Sequence, residues 1–244
     1  MSDNVTKRNL KFETETIQID SEQLRVSPRQ VGRYAGGSRY KLDDKMKTLA
    51  EEMLIKAKQL VRPVFTYAVH PVKSNDFNHG LQLQNGSHVE MPEEEHDPRT
   101  VALVPVVCTL GPGLEDETHR LMQDGELLTA MFLDAAGVAH LELLGHGARQ
   151  HVKQKASGKG FYTGCPFGPG YNGMPLDYQS QLFEHVNAIG IGVKLNDSGV
   201  MLPMKSISFW LRITRNKKAA EDHGYKCRNC DMENCIYRKV PCKK

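Results

Sequence analysis

Four of the chain's six cysteines, Cys227, Cys230, Cys235 and Cys242, crowd into its C-terminal tail. The two-residue gap between Cys227 and Cys230 lets both thiolates reach one centre, and Cys235 can close on it from a short loop. Four thiolates suit tetrahedral zinc or an iron–sulfur cluster. The spacing matches neither standard ferredoxin pattern, so it leaves zinc and iron–sulfur both open. Two readings compete with a metal site: a frayed basic end with unligated thiols, and a redox Cys-x-x-Cys pair, although nothing around it looks thioredoxin-like. Lys226, Arg228, Arg238 and Lys239 would offset the charge of a four-thiolate centre.

A second chemical signal is the loop from Gly164 to Leu176, which sets Gly164, Gly168, Gly170 and Gly173 among Pro166, Pro169 and Pro175. Glycines let a ligand approach the main chain, and exposed amides can bond a carboxylate or a ribose. Prolines keep such a loop rigid and so lower the entropy lost on binding. A purely structural crossover loop is the competing reading. Cys108 and Cys165, each alone, read as small buried hydrophobes. The acidic run Glu93-Glu94-Glu95-His96-Asp97 could hold a cation, but a solvated loop explains it better. The ten histidines are scattered, and no Ser/His/Asp or paired-carboxylate arrangement is visible.

These residues need elements to position them. Ser206 to Ile213 alternates as a strand does, putting Ile207, Phe209, Leu211 and Ile213 on one face and Trp210 on the other. Val101 to Val107 is a near-continuous β-branched run, the pattern of a buried strand. Met46, Leu49, Ala50, Met53, Leu54, Ala57 and Leu60 make one helical stripe, with Asp43 or Asp44 as its N-cap. Helical sequence runs from Glu115 to about Val152 in two pieces, with Leu127, Leu128, Met131, Phe132 and Ala135 as core stripe and an interruption at Gly145-His146-Gly147. Val64 to Val69 reads as a short strand, Asn85-Gly86 as a turn, and Tyr178 to Val186 as a short helix. Strands and helices without strict alternation favour an α+β fold.

The expected division is a polar lead-in over 1–40 that packs on the domain, one domain over 41–215, and a basic cysteine-rich tail over 216–244. A net charge of +3 and a mean hydropathy of −0.48 argue against nucleic-acid binding. No apolar run approaches the roughly 20 residues of a membrane span, and the polar N-terminus lacks a secretory core. A reducing, cytoplasmic setting is expected, where clustered thiols favour metal.

The stretch Phe167-Gly-Pro-Gly-Tyr-Asn-Gly-Met-Pro-Leu-Asp-Tyr-Gln-Ser-Gln-Leu-Phe183 resembles a segment of stand-alone proteins related to the activation domain of cobalamin-dependent methionine synthase. Ile191 to Ser208, Thr109-Leu-Gly111, Arg33-Tyr34 and the tail through Tyr237-Arg238 are similar to further motifs of that family, in the same order. The likeness is strongest from about Val101 to Arg238. It implies a C-shaped α+β domain that binds S-adenosylmethionine and docks on a cobalamin protein, where it supports reductive methylation of cob(II)alamin. By position, Pro169, Gly170 and Tyr171 would contact the ligand, Asp197 would take the acidic position, and Ser206 and Ser208 would lie on the neighbouring strand. The sequence departs from the pattern at Pro166, where the family has an arginine that helps hold the ligand, and at Leu211, where it has a tyrosine. Lys205 and Arg212 are the candidates to compensate.

The implied role is activation in trans of a cobalamin-binding methionine synthase or another corrinoid protein, with an iron–sulfur cluster in the tail delivering the electron from an unidentified donor. Two readings stand beside it. One is a non-enzymatic corrinoid-protein-binding module with a structural zinc or iron–sulfur tail, and the other a metal-dependent redox carrier without cobalamin.

Overall fold

The computed structural model describes residues 14–76, 80–170, 174–222 and Cys235. Its central strand is β6 (Thr100–Thr109), the β-branched run, buried along nearly its whole length. Such a run is stable only where both edges and both faces are covered, and here they are. β10 (Ser206–Thr214) runs antiparallel along one entire edge, from the Ser206–Thr109 pair to the Thr214–Thr100 pair. Two strands share the other edge: β2 (Val64–Tyr67) pairs with residues 106–109 and β3 (His70–Asp76) with residues 102–103. β1 (Glu15–Gln18) adds to β2, while β4 (Gly80–Leu83) and β5 (His88–Val89) continue from β3. β7 (Tyr162–Thr163) flanks the far end of β10. The eight strands form one antiparallel sheet, with β8 (Lys194–Leu195) and β9 (Met201–Leu202) as a separate hairpin. The expected Asn85-Gly86 turn joins β4 to β5, with Gly86 at φ +90°.

Helices α1 (Pro28–Gly36), α2 (Asp44–Leu60), α3 (Gly113–Gln123) and α4 (Leu127–Ser157) cover one face of the sheet. Asp43 caps α2 by accepting from the Met46 N–H at 2.8 Å. The helix α1 falls in what the sequence reading took as a polar lead-in; Gln30 reaches back to accept from the Ser27 N–H at 2.9 Å, and Pro28 opens the first turn.

The expected break in the long helical stretch comes at Gly125, φ +80°, between α3 and α4. It does not come at Gly145-His146-Gly147. There α4 continues unbroken against the sheet, and a Cβ on Gly145 would sit in ordinary contact with Ile207 at 3.7 Å and Phe209 at 3.9 Å. The core stripe of α4 also starts later than expected: Leu127, Leu128 and Met131 are exposed, whereas Phe132 and Ala135 are buried.

By length and composition α4 is apolar enough to cross a bilayer, the one such helix among the described residues, and half of that apolar window is buried in the protein. The sheet lies on one side of it and three helices on the others, so a helix apolar nearly all round is what this position requires.

The other face of the sheet carries a smaller core. Trp210, Leu103 and Val107 pack there with Phe167, Leu182 of α5 (Gln179–Glu184) and Val193. The tail begins with a short helix, α6 (Lys217–Asp222), which buries Ala219.

Candidate ligand loop, neighbouring strand and basic cleft

The glycine-rich loop is an extra edge on β10. Gly164 N–H donates to the Arg212 carbonyl at 3.0 Å, and Phe167 and Trp210 exchange two backbone hydrogen bonds of 3.1 and 2.7 Å. Gly168 then presses on the strand itself: a Cβ there would lie 3.2 Å from the Phe209 Cα. Past buried Pro169 the chain turns away at exposed Gly170, φ +77°, a conformation that favours glycine. The Gly170 N–H donates to the Met174 carbonyl at 3.0 Å and closes the loop. Tyr171 lies outside the described residues.

Leu176 ties a second segment to this loop. Its side chain lies 4.0 Å from the Cβ position of Gly170 and 3.9 Å from that of Gly199. Asp197 sits exposed in the turn between β8 and β9, where the Asn196 side chain accepts from the N–H groups of Ser198 (3.0 Å) and Val200 (2.9 Å). The loop and the acidic turn are therefore neighbours, and neither shares a hydrogen bond with the hydroxyls of Ser206 and Ser208 among the described residues. Those two hydroxyls are buried and used within the protein. Ser208 Oγ accepts from the Gln179 amide at 2.8 Å, and Ser206 Oγ donates to the Pro203 carbonyl at 2.6 Å and lies 2.9 Å from Thr109 Oγ1. They hold the strand's register against α5 and β6.

Of the two compensating cations, Lys205 is committed: its ammonium pairs with Asp134 at 2.6 Å and its N–H donates to Glu115 at 2.7 Å. Arg212 is different. It is 3 % exposed, pairs with Glu95 through Nη2, and stacks on Phe167 with its guanidinium carbon 3.7 Å from the ring centre. Its Nε and Nη1 have no partner among the described residues. Two carboxylates of the acidic run are thus used inside the protein. Glu95 holds Arg212, and buried Asp97 pairs with Arg99 at 2.8 Å.

On the same sheet face, His185 lies between His70 and Trp210, with ring centres 5.2 and 5.8 Å away. Burial, reinforced by His70, depresses its pKa to about 4. Cys108 is buried, and burial pushes its thiol up; Cys165 is half-buried. In the tail, Cys227, Cys230 and Cys242 lie outside the described residues, and Cys235 is half-buried. Among the described residues no three potential ligands group together for a metal.

An open cleft of about 810 Å3 lies between the C-terminal half of α4, the segment from Phe161 to Pro166, and α6. Pro166 and Leu211, the two departures from the family pattern, both line it, whereas Pro169, Gly170, Asp197, Ser206 and Ser208 do not. Sequence reasoning missed this site. Its helical wall was legible as polar residues at His146, Arg149, Gln150, Lys153 and Ser157, one side of a helix, but its opposite wall exists only in the fold.

No protein-family model matches this chain, and no curated protein matches it. Among solved structures, it is similar to the crystal structure of the MetH reactivation domain bound to AdoHcy. That likeness has a TM-score of 0.60 at 12 % identity and covers 87 % of this chain and 80 % of that one. The chain has the α+β fold of the methionine synthase reactivation domain, as the motifs implied.

Proposed function

We propose that the protein supports reductive methylation of a corrinoid cofactor on a separate methionine synthase or other corrinoid methyltransferase, with S-adenosylmethionine as the methyl source. The observation that carries this reading is the fold: its solved counterpart holds AdoHcy, which is S-adenosylmethionine without its methyl group. The loop geometry supports it, because Gly168 locks the loop to β10 while Gly170 turns the chain outward, presenting main chain to a ligand.

The residues fit such a ligand. Arg212, beside Phe167 of the loop, carries two buried nitrogens, Nε and Nη1, without a partner among the described residues, and S-adenosylmethionine carries one carboxylate. A charge-assisted hydrogen bond of that kind contributes about 1.5–3 kcal/mol. Pro169, Gly170 and Tyr171 would hold the ligand from the loop, with Asp197 near its mouth. When bound, S-adenosylmethionine supplies a sulfonium-activated methyl group to a corrinoid that has taken up one electron. The protein's part is to orient the ligand and exclude water, which calls for no acid or base. Ser206 and Ser208 act as positioning residues by fixing β10.

The tail would bind iron–sulfur or zinc through Cys227, Cys230, Cys235 and Cys242, the former serving as electron relay. A brown, broadly absorbing protein after anaerobic purification supports the cluster, and colourless zinc-loaded protein rejects it. A second reading, a corrinoid-protein-binding module without S-adenosylmethionine, is favoured by Pro166 and by the absence of an arginine there. Calorimetric titration of S-adenosylmethionine into anaerobically prepared protein separates the two. Saturable binding, weakened by Tyr171→Ala, is expected; no heat at millimolar ligand with folded protein rejects methyl transfer.

A further inference from the structure

The cleft beside α4 is the feature that the proposed function leaves unused. Its wall on α4 presents His146, Arg149 and Lys153 on one side of the helix, and α6 adds Lys217 across the gap. Among the described residues, none that lines it carries a carboxylate and none of these four cations makes an ion pair. Elsewhere, cations that reach across to another element are matched: Lys56 with Glu117, Lys155 with Glu15, Lys205 with Asp134, and Arg212 with Glu95. Arg149 is half-buried, so its charge has lost part of its water without gaining a protein anion, a cost that a bound anion would offset.

The rest of the cleft has a different character. Phe161, Pro166 and Leu211 make an apolar floor, and Tyr162 stands at the rim, 42 % exposed. The basic row from His146 to Lys153 spans seven residues of helix, about 10 Å. A ligand that satisfies both halves carries several negative charges at one end and a flat ring at the other. The volume lies within the usual range of about 300–1,000 Å3 for small-molecule sites.

We infer that this cleft binds a nucleoside phosphate, with its phosphates along His146, Arg149, Lys153 and Lys217 and its base against Phe161 and Tyr162. The cleft shares Gly164, Cys165 and Pro166 with the glycine-rich loop but none of Pro169, Gly170, Asp197, Ser206 and Ser208, and the inference does not rest on the proposed methyl-donor function. Two or three phosphates satisfy the row better than one, so affinity rises from AMP to ATP. Binding also weakens with salt, because the contacts are ionic and the cleft is open.

Calorimetric titration of the full-length protein with ATP, ADP and AMP tests this, with Lys153→Glu, Arg149→Gln and Tyr162→Ala as variants. The expected result is saturable ATP binding, weaker for AMP. It should weaken at least tenfold in Lys153→Glu and Arg149→Gln and several-fold in Tyr162→Ala. Lys153 is exposed, so its substitution leaves folding intact even where Arg149→Gln does not, and thermal melts verify this. S-adenosylmethionine affinity should be unchanged in Lys153→Glu, which keeps the two sites' outcomes apart. No saturable heat with millimolar ATP overturns the inference, as does ATP binding of equal strength in Lys153→Glu. Inorganic pyrophosphate binding as tightly as ATP overturns the assignment of a nucleoside.

Discussion

The two faces of β10 divide the molecule's work between them. Ile207, Phe209, Leu211 and Ile213 point into the helix layer and belong to its hydrophobic core. Ser206, Ser208, Trp210 and Arg212 point the other way, and each brings a polar group into a buried setting: bonded in the two serines, half-bonded in Arg212, and without a partner among the described residues in the Trp210 ring N–H. One face is a packing surface and the other a scaffold for loops. The difference teaches where substitutions should damage stability and where they should damage binding. A strand's period of two separates the roles at adjacent residues.

The largest effect is expected on the packing face. Phe209→Ala removes a side chain that is 1 % exposed and should cost about 3–5 kcal/mol, read as a lower urea midpoint at unchanged m-value. Any S-adenosylmethionine affinity should survive in the fraction that folds. A loss of binding without loss of stability would show that the two faces are not separable.

Next comes Arg212→Met, which keeps the stem over Phe167 but strands the Glu95 carboxylate. Breaking a buried pair from one side costs about 3 kcal/mol, softened here because Glu95 is partly exposed. The combined Arg212→Met and Glu95→Gln variant should recover most of the stability and none of the ligand affinity. If both variants bind S-adenosylmethionine normally, Arg212 is only a structural residue.

The packing face was legible in the sequence and the scaffold face was not, and the reason is physical. Alternation along β10 and the stripe on α2 are local periodicities imposed by a buried surface, so they are visible without the fold. The β-branched run of β6 was legible for the same reason. By contrast, α1 was overlooked because its signal is a short cap, Ser27-Pro28 with Gln30, and not a stripe. Gly145 read as a breaker because its burial in the middle of α4, facing Ile207 and Phe209, is a tertiary fact that the local sequence does not display. Leu127, Leu128 and Met131 read as core because composition cannot tell an apolar residue facing solvent from one facing a sheet. The loop was found through its glycines and Arg212 was one of two candidate cations, but the choice of Arg212 over Lys205 and the cations of the cleft depend on which strands and helices meet.

Acid should weaken the fold from both faces of the sheet, because burial lowers the pKa of His185 on the scaffold face and of His140 on α4. His185 is held neutral, with its pKa lowered to about 4 by burial and by His70, against an ordinary value of about 6.5. The unfolded chain binds the proton first, so this contribution is complete above about pH 6.5 and is lost as pH falls toward 4. The shift corresponds to a loss of about 2–3 kcal/mol, readable as a falling urea midpoint between pH 7 and pH 4.5. His185→Phe should make that dependence shallower, with His140 supplying part of what remains, and leave the effect of Phe209→Ala unchanged, since the two residues pack on opposite faces.

The smallest effect sharpens the comparison most. Ser208→Ala removes the hydroxyl that accepts from Gln179 and leaves a buried amide hydrogen without its partner, at a cost of about 1–2 kcal/mol. Gln179→Leu in the same background removes the stranded group and should restore most of that loss. If Ser208 only fixes β10, S-adenosylmethionine affinity returns with stability in the double variant. If affinity stays low while stability recovers, the hydroxyl touches the ligand, and Ser208 moves from the positioning residues to the binding residues. One hydroxyl, read by two measurements, thus decides whether the scaffold face carries the site or only supports it.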